Sequence, residues 1–157
     1  MFSIGDKVSY PMHGAGLIEK IEDRQILGET RSYYIIRIEH GNMQVMVPVS
    51  GCETVGLRPI VKKSVIKGVL STLGSASEPM DHNWNRRNRD NLERLKSGDL
   101  NKVAAVIRDL ARADQNKKLS TGEKKLLSSA KTILASEIAM VLNQTEDSVI
   151  RMIDEAI

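Results

Sequence analysis

The residues best suited to chemistry lie in one short segment, where the only tryptophan of the chain stands among arginines. Trp84 is followed by Arg86, Arg87 and Arg89, and the positions three, four and seven residues after it hold Arg, Asn and Asn. A tryptophan that packs in a core usually brings apolar companions at these spacings. The pattern therefore predicts an exposed ring flanked by guanidinium groups that can grip phosphates.

An exposed ring among arginines has more than one interpretation, and the residues alone leave them open. Minor-groove proteins wedge an apolar side chain into an unstacked base step, while phosphate contacts supply most of the affinity. The same residues fit a tryptophan at a helix start that packs on a neighbouring helix, with its arginines in solvent. They also fit a protein–protein adaptor that uses Trp84 as its anchor, or a module that binds RNA or the ribosome.

The charge of the chain is unevenly distributed. Its 157 residues have a net charge of +3, and the excess of Lys and Arg lies wholly in residues 61–157. This asymmetry is typical of a half that binds a polyanion, but a solvated, lysine-rich helical surface has the same composition. Charge alone therefore does not choose between these interpretations.

Patterns typical of enzymes and metal sites are missing. His13, His40 and His82 lie in turn signals, without the helical spacing that metal ligands favour. The run Gly14-Ala15-Gly16 precedes a strand-like segment, whereas a phosphate-binding loop leads into a helix. Cys52 is the only cysteine, so neither an internal disulfide nor a thiol pair for a metal can form. We expect a binding protein, not an enzyme, with no metal, no cofactor and no small-molecule substrate.

The sequence also bears on the compartment. The first residues lack the basic and apolar organisation of a signal peptide, and no apolar run approaches the roughly 20 residues that span a bilayer. A single cysteine is typical of a protein from a reducing compartment. These features predict a cytoplasmic protein without a membrane partner.

The first 60 residues have the character of short strands separated by glycine-rich turns. The predicted strands are 7–10, 15–23, 32–39, 43–47 and 54–57. Alternation in the third strand puts Tyr34, Ile36 and Ile38 on one buried face, and in the fourth it separates Val45 from its neighbours. Five short strands with tight connections predict a small antiparallel β-barrel.

After residue 60 the apolar spacing changes from two toward three and four, which marks a domain boundary. The predicted helices are 64–73, 84–95, 100–113, 122–142 and 146–156. Asp99, Ser120 and Thr145 are expected N-caps, and Ser120 with Glu123 has the spacing of a capping box. The predicted fold class is therefore α+β, with a small barrel in residues 1–60 and a compact all-α domain in residues 61–157.

Several motifs, in order along the chain, carry a resemblance to a known family. They are Gly5-Asp6-Lys7-Val8, Tyr10-Pro11-Met12-His13-Gly14, Val47-Pro48, Asn83-Trp84-Asn85-Arg86-Arg87, and the segments 95–104, 106–110 and 119–124. On these motifs the chain resembles the CarD/CdnL family of bacterial transcription regulators over essentially its whole length. Its opening motif is also similar to the polymerase-interacting domain of transcription-repair coupling factors.

The resemblance implies a fold and a function. It implies a Tudor-like N-terminal barrel that binds the β subunit of RNA polymerase. It also implies a helical domain that reaches the minor groove of promoter DNA at the upstream edge of the melted bubble and stabilises the open complex. Such a protein would be associated with the nucleoid through the polymerase.

The resemblance also implies roles for individual residues. Trp84 matches the family's minor-groove wedge, and Arg86, Arg87, Arg89 and Lys124 match its basic DNA contacts. Arg24 matches a polymerase contact, and the strand formed by Met43, Gln44, Val45, Met46 and Val47 would pair edge to edge with a strand of the polymerase. Met46 stands where other members carry an arginine, which predicts a more apolar or weaker polymerase interface.

Overall fold

A computed structural model describes residues 1–157 as two compact units, Met1–Ile60 and Val61–Ile157. The division coincides with the change from strand-forming to helix-forming residues after Pro59. All strands lie in the first unit and all α-helices in the second. The predicted α+β class is confirmed.

The first unit is an antiparallel sheet of five strands. In chain order they are β1 (Lys7–Tyr10), β2 (Gly14–Ile26), β3 (Glu29–Ile38), β4 (Met43–Pro48) and β5 (Arg58–Pro59). Their order across the sheet is β4-β3-β2-β1-β5, with every neighbouring pair antiparallel. The two outermost strands are therefore β4 and β5.

The sheet is open, so the prediction of a closed barrel is wrong. Closure would require β4 to pair with β5, but each pairs with one neighbour only. β4 ends at Pro48, and β5 consists of Arg58 and Pro59 alone. Proline has no backbone N–H to donate to a ladder, and two residues are too few to close one.

The predicted fifth strand, 54–57, is also wrong. Residues 50–56 form consecutive turns, in which Thr54 N–H donates to the Gly51 carbonyl and Gly56 N–H to that of Glu53. Because these backbone groups are satisfied locally, no ladder forms until Arg58. Leu57 is nevertheless buried, so its apolar character serves the core instead of a strand.

The core of the first unit lies on one face of the sheet. Tyr34, Ile36 and Ile38 of β3 are fully buried there, as the alternation predicts, but Tyr33 and Ile35 between them are buried as well. Phe2 closes over them, with its ring edge-on to Tyr34 and its N–H donating to the Tyr34 hydroxyl at 3.0 Å. The N-terminal segment and the 50–57 turns thus cover a face that no helix of this unit covers.

The second unit contains five helices. They are α1 (Lys63–Gly74), α2 (Trp84–Lys96), α3 (Leu100–Asn116), α4 (Thr121–Leu142) and α5 (Glu146–Ala156). α3 is the central helix: it contacts α1, α2 and α4, and its residues from Val103 to Leu110 are buried. No single helix has the length and apolar character to cross a membrane; α4 and α5 reach that threshold only together, with a bend of 114° between them.

The helix starts are capped by side chains as the sequence predicts. Asp99, Ser120 and Thr145 are the N-caps of α3, α4 and α5, and each side chain accepts a hydrogen bond from a backbone N–H of the first turn. The start of α1 has no such cap, but the carboxylate of the fully buried Glu137 in α4 accepts from the Val61 N–H at 2.9 Å. Glu137 thus fixes the first residue of the helical unit.

The hairpin between β2 and β3 has a strained tip. Leu27 and Gly28 form its two-residue turn, with φ of 53° and 80°. This is a type I′ turn, which favours Asn-Gly because both positions require positive φ. A leucine at the first position is strained, and at 99% exposure its side chain gains no burial in return.

We expect Leu27→Asn to stabilise the sheet unit by about 0.5–1 kcal/mol, because asparagine adopts the left-handed conformation more readily. Urea unfolding followed by tyrosine fluorescence measures this, since all three tyrosines lie in residues 1–60. Leu27→Ala is the matched control: it removes the side chain but keeps the strain. Equal stabilisation by both variants would contradict the explanation.

Candidate functional site

Trp84 is the first residue of α2, and its position is set by a capping motif. The Asn83 side chain accepts from the Arg86 N–H at 3.1 Å, and the Asn83 N–H donates to the Asp81 carboxylate at 2.8 Å. The ring is 46% exposed, so the predicted exposure is confirmed. Nothing in the first turn of α2 covers it with apolar side chains.

The other side of the Trp84 ring rests against α4. Its Cζ2 atom lies 3.8 Å from where a β-carbon on Gly122 would stand. This is an ordinary van der Waals distance, so the first turn of α4 lies beside the ring with room for a methyl group between them. Trp84 was predicted either to be exposed or to pack on a neighbouring helix. Both predictions hold in part, because one side of the ring lies beside α4 and the residue is also exposed to solvent.

Arg87 occupies a different environment from the one predicted for a phosphate contact. Its Nε and Nη2 donate to the two carboxylate oxygens of Glu123 at 2.8 and 3.0 Å, and its Nη1 donates to the Asp81 carbonyl at 3.2 Å. The side chains of Arg87 and Glu123 are only 20% and 6% exposed. The bidentate edge of this guanidinium is therefore already occupied.

The pair is also electrostatically well matched. Its hydrogen bonds raise the pKa of the Arg87 guanidinium above the ordinary value, with the charges of Glu123 and Asp81 adding to the effect and burial opposing it. The Ser120 hydroxyl donates to Glu123 Oε1 at 3.3 Å and accepts from the Glu123 N–H at 3.2 Å. In the predicted capping box, the glutamate side chain would turn back to the Ser120 N–H. Here it joins α4 to α2 instead.

The remaining predicted DNA contacts are exposed. Arg86 and Arg89 lie three residues apart on α2, so they share one side of that helix. Lys124 lies on α4, two residues after the glycine that supports the Trp84 ring. None of the three makes a side-chain hydrogen bond or ion pair within the chain. Their charges are available to a ligand.

The loop that leads into α2 is held by arginines of α3. Arg112 donates to the Ser75 carbonyl at 2.6 Å and to the Ser77 hydroxyl at 2.9 Å. The buried Arg108 donates to Ser75 Oγ at 2.8 Å and pairs with Asp109, also at 2.8 Å. These roles escaped prediction, although an arginine within the apolar stripe of α3 was a signal. Part of the basic excess of this unit is therefore structural.

The residues predicted to bind the polymerase only partly come together. Arg24, Gln44, Val45 and Met46 line one shallow concavity on the sheet, beside Lys20, Glu22 and Ile35. The Arg24 guanidinium donates to the Glu22 carboxylate at 2.9 and 3.1 Å. Met43 and Val47 are not part of this concavity, and the Val47 side chain is buried in the core.

The strand formed by these residues, β4, lies at the edge of the sheet. It pairs with β3 on one side only. Gln44 and Met46 are exposed, whereas Val45 is partly buried against the core, as the alternation predicts. The structure gathers no group of three or more His, Cys, Asp or Glu side chains that could hold a metal ion.

Two families of domains match the chain, in the same order as the two units. Residues 2–61 match the CarD-like/TRCF RID domain, and residues 68–154 match the C-terminal domain of CarD. The chain is also similar to YdeB of Bacillus subtilis (strain 168), with 36% identity over 149 residues that cover 95% of this chain and 97% of YdeB. These matches span both units, and the chain belongs to the CarD family of transcription regulators.

Proposed function

We propose that the sheet unit binds the β subunit of RNA polymerase while the helical unit binds promoter DNA at the upstream edge of the melted bubble, which stabilises the open complex. The observation that carries this proposal is the Trp84 ring, half-exposed at a helix start and backed by α4. Membership of a transcription regulator family and the match of residues 2–61 to the RID domain support it. The protein would act in the cytoplasm, at the nucleoid.

The ring has the properties that a minor-groove wedge requires. It offers an apolar face to a base step, and its backing by α4 opposes its displacement into the protein. If the ring binds the distorted DNA of the open complex more tightly than closed duplex DNA, it shifts the equilibrium by the difference between the two binding energies. The wedge thus acts by selection between two states of the DNA.

Phosphate contacts supply the rest of the DNA affinity. Arg86, Arg89 and Lys124 carry unpaired charges on the two helices that meet at the ring. Each such contact releases counterions from DNA, which makes binding sensitive to salt. Arg87 is the fourth predicted phosphate contact, but its guanidinium already donates to Glu123 and Asp81.

On the polymerase side, the exposed edge of β4 can accept a strand of the β subunit. Such β-augmentation uses backbone hydrogen bonds for affinity and neighbouring side chains for specificity. Here those side chains are Arg24, Gln44 and Met46. With methionine instead of arginine at position 46, Arg24 is the one arginine of the concavity, and we expect a more apolar or weaker contact.

Binding through two contacts is stronger than binding through either one, because the first contact favours the second. Once the sheet unit is bound to the polymerase, the helical unit searches for DNA at a high effective concentration. Neither contact then needs high affinity alone. The function depends on both units in one chain.

We expect Trp84→Ala to reduce the stabilisation of open complexes by about five- to a hundred-fold, the range for one base-stacking ring. The measurement is the lifetime of polymerase–promoter open complexes after addition of a competitor, with and without the protein. Trp84→Phe, which retains a smaller ring, should keep part of the effect. An alanine variant as active as the wild type would rule out the wedge.

Arg24→Glu should weaken binding to the polymerase β subunit and leave direct DNA binding by the helical unit unchanged. Charge reversal places a carboxylate beside Glu22 in the concavity. The measurement is capture of the polymerase by the immobilised protein. Arg58→Glu, on the opposite edge strand, is the control. Equal capture by all three proteins would contradict the assignment of this surface.

Arg86→Gln and Arg89→Gln should each reduce the slope of log affinity against log salt by about 0.9 for DNA binding, because each removes one phosphate contact. The measurement is a titration of labelled duplex DNA at several salt concentrations. Arg151→Gln removes an exposed arginine from α5 and serves as the control. Slopes that match the wild type in all variants would show that these arginines face away from DNA.

A further inference from the structure

The first turns of α2 and α4 meet at two adjacent positions. Trp84 of α2 lies beside Gly122 of α4, and Arg87 of α2 binds Glu123. Trp84 and Arg87 are three residues apart and so lie on the same side of α2. Gly122 and Glu123 are consecutive. Any movement that separates the first turns of α2 and α4 therefore breaks the ion pair and also moves the ring away from α4.

The Arg87–Glu123 pair is suited to fix this junction rigidly. Both carboxylate oxygens and two nitrogens of the guanidinium take part, so the two planar groups have one preferred mutual orientation. The Ser120 hydroxyl restrains the carboxylate, and the Asp81 carbonyl restrains the guanidinium. Each partner is thus held by its own helix start as well as by the other.

Helix α2 itself gives the ring little support. The residues three, four and seven positions after it are Arg87, Asn88 and Asn91, so α2 itself offers no apolar side chain at those spacings. As the first residue of its helix, Trp84 also lacks a preceding helical turn to pack on. Its orientation therefore depends on how the first turn of α2 is fixed to α4.

We propose that Arg87 and Glu123 are positioning residues for Trp84: their ion pair sets the orientation of the ring before DNA arrives. This inference rests on the proposed DNA contact of Trp84. Ordering the ring in advance removes an entropic penalty that a mobile side chain would incur on binding. Arg87 then acts on DNA through Glu123 and the ring, and not as a phosphate contact of its own.

When Glu123 is removed, the positioning role and electrostatics alone predict opposite changes in DNA binding. Glu123 is a buried negative charge in the first turn of α4, one residue before the unpaired Lys124, and the proposed ligand is a polyanion. If it had no positioning role, its removal would strengthen DNA binding. If it positions Trp84, its removal weakens DNA binding although a repulsive charge has been lost.

The decisive variant is Glu123→Gln, which preserves size and removes the charge. Its effect on open-complex lifetime is compared with that of Glu93→Gln, which removes an exposed carboxylate from α2 itself. We expect Glu123→Gln to lower the stabilisation by about fivefold or more, and Glu93→Gln to leave it unchanged or slightly increased. Stabilisation by Glu123→Gln that equals or exceeds that of the wild type overturns the proposal.

A double mutant tests whether the pair acts through the ring. In a Trp84→Ala background, Glu123→Gln should cause no further loss, because there is no ring left to position. A loss of the same size in both backgrounds would overturn the proposal, since Glu123 would then act independently of the ring. Arg87→Lys adds a third case: lysine keeps the charge but not the bidentate geometry, so it should resemble Glu123→Gln.

The free protein provides a readout that does not depend on DNA. Because Trp84 is the only tryptophan, its fluorescence reports on this ring alone. We expect Glu123→Gln to increase acrylamide quenching and lower fluorescence anisotropy, with unchanged helical circular dichroism. Unchanged ring mobility overturns the positioning role. If the ring is mobilised but Trp84→Ala has no effect on open complexes, the positioning role is upheld and the proposed DNA function fails.

Discussion

The ion pair between Arg87 and Glu123 joins two helix starts that are far apart in sequence, and the candidate wedge, Trp84, lies at this junction. One side of Trp84 lies beside Gly122, and the residue is still 46% exposed to solvent. A wedge needs both conditions. A fully exposed ring would fold back onto its own helix, and a fully buried one could not reach a base step. Of the three arginines that follow Trp84 most closely, the pair leaves Arg86 and Arg89 with free charges.

The two units offer partners different kinds of surface. The helical unit presents side chains on a scaffold that polar contacts hold in place, among them the buried pair of Arg108 with Asp109 and the exposed bonds of Arg112 to the loop before α2. The sheet unit presents backbone, along the outer edge of β4, beside a shallow concavity that contains Arg24. Side chains suit the recognition of a distorted groove, and a strand edge suits the recognition of another strand. Each unit therefore matches the partner proposed for it.

Local patterns in the sequence predicted most of the elements. The period of the apolar residues identified four strands and five helices, and the three N-caps followed from residue type alone. Barrel closure could not be predicted in this way, because it depends on whether two edge strands far apart in sequence can pair. The fifth strand was misplaced because Val55 and Leu57 have strand-like character, yet the backbone there is satisfied by turns.

The candidate site was predictable to a similar degree. The exposure of Trp84 followed from the polar residues at helical spacing after it, which is a local signal. The partner of Arg87 lies 36 residues away, and no local pattern connects the two. Glu123 looked like a capping residue because Ser120 stands three residues before it, and half of that motif is present. Its second role appears only when α2 and α4 are brought together.

The outer edge of β4 has a consequence beyond recognition. A strand left open for one partner offers its donors and acceptors to every other strand, including the same edge on a second copy of the chain. Two features limit that hazard here: β4 has only six residues, and it ends in a proline. Met43 and Met46, both exposed on this strand, work against them. Without a strand bound along this edge, the chain is therefore more exposed to self-association.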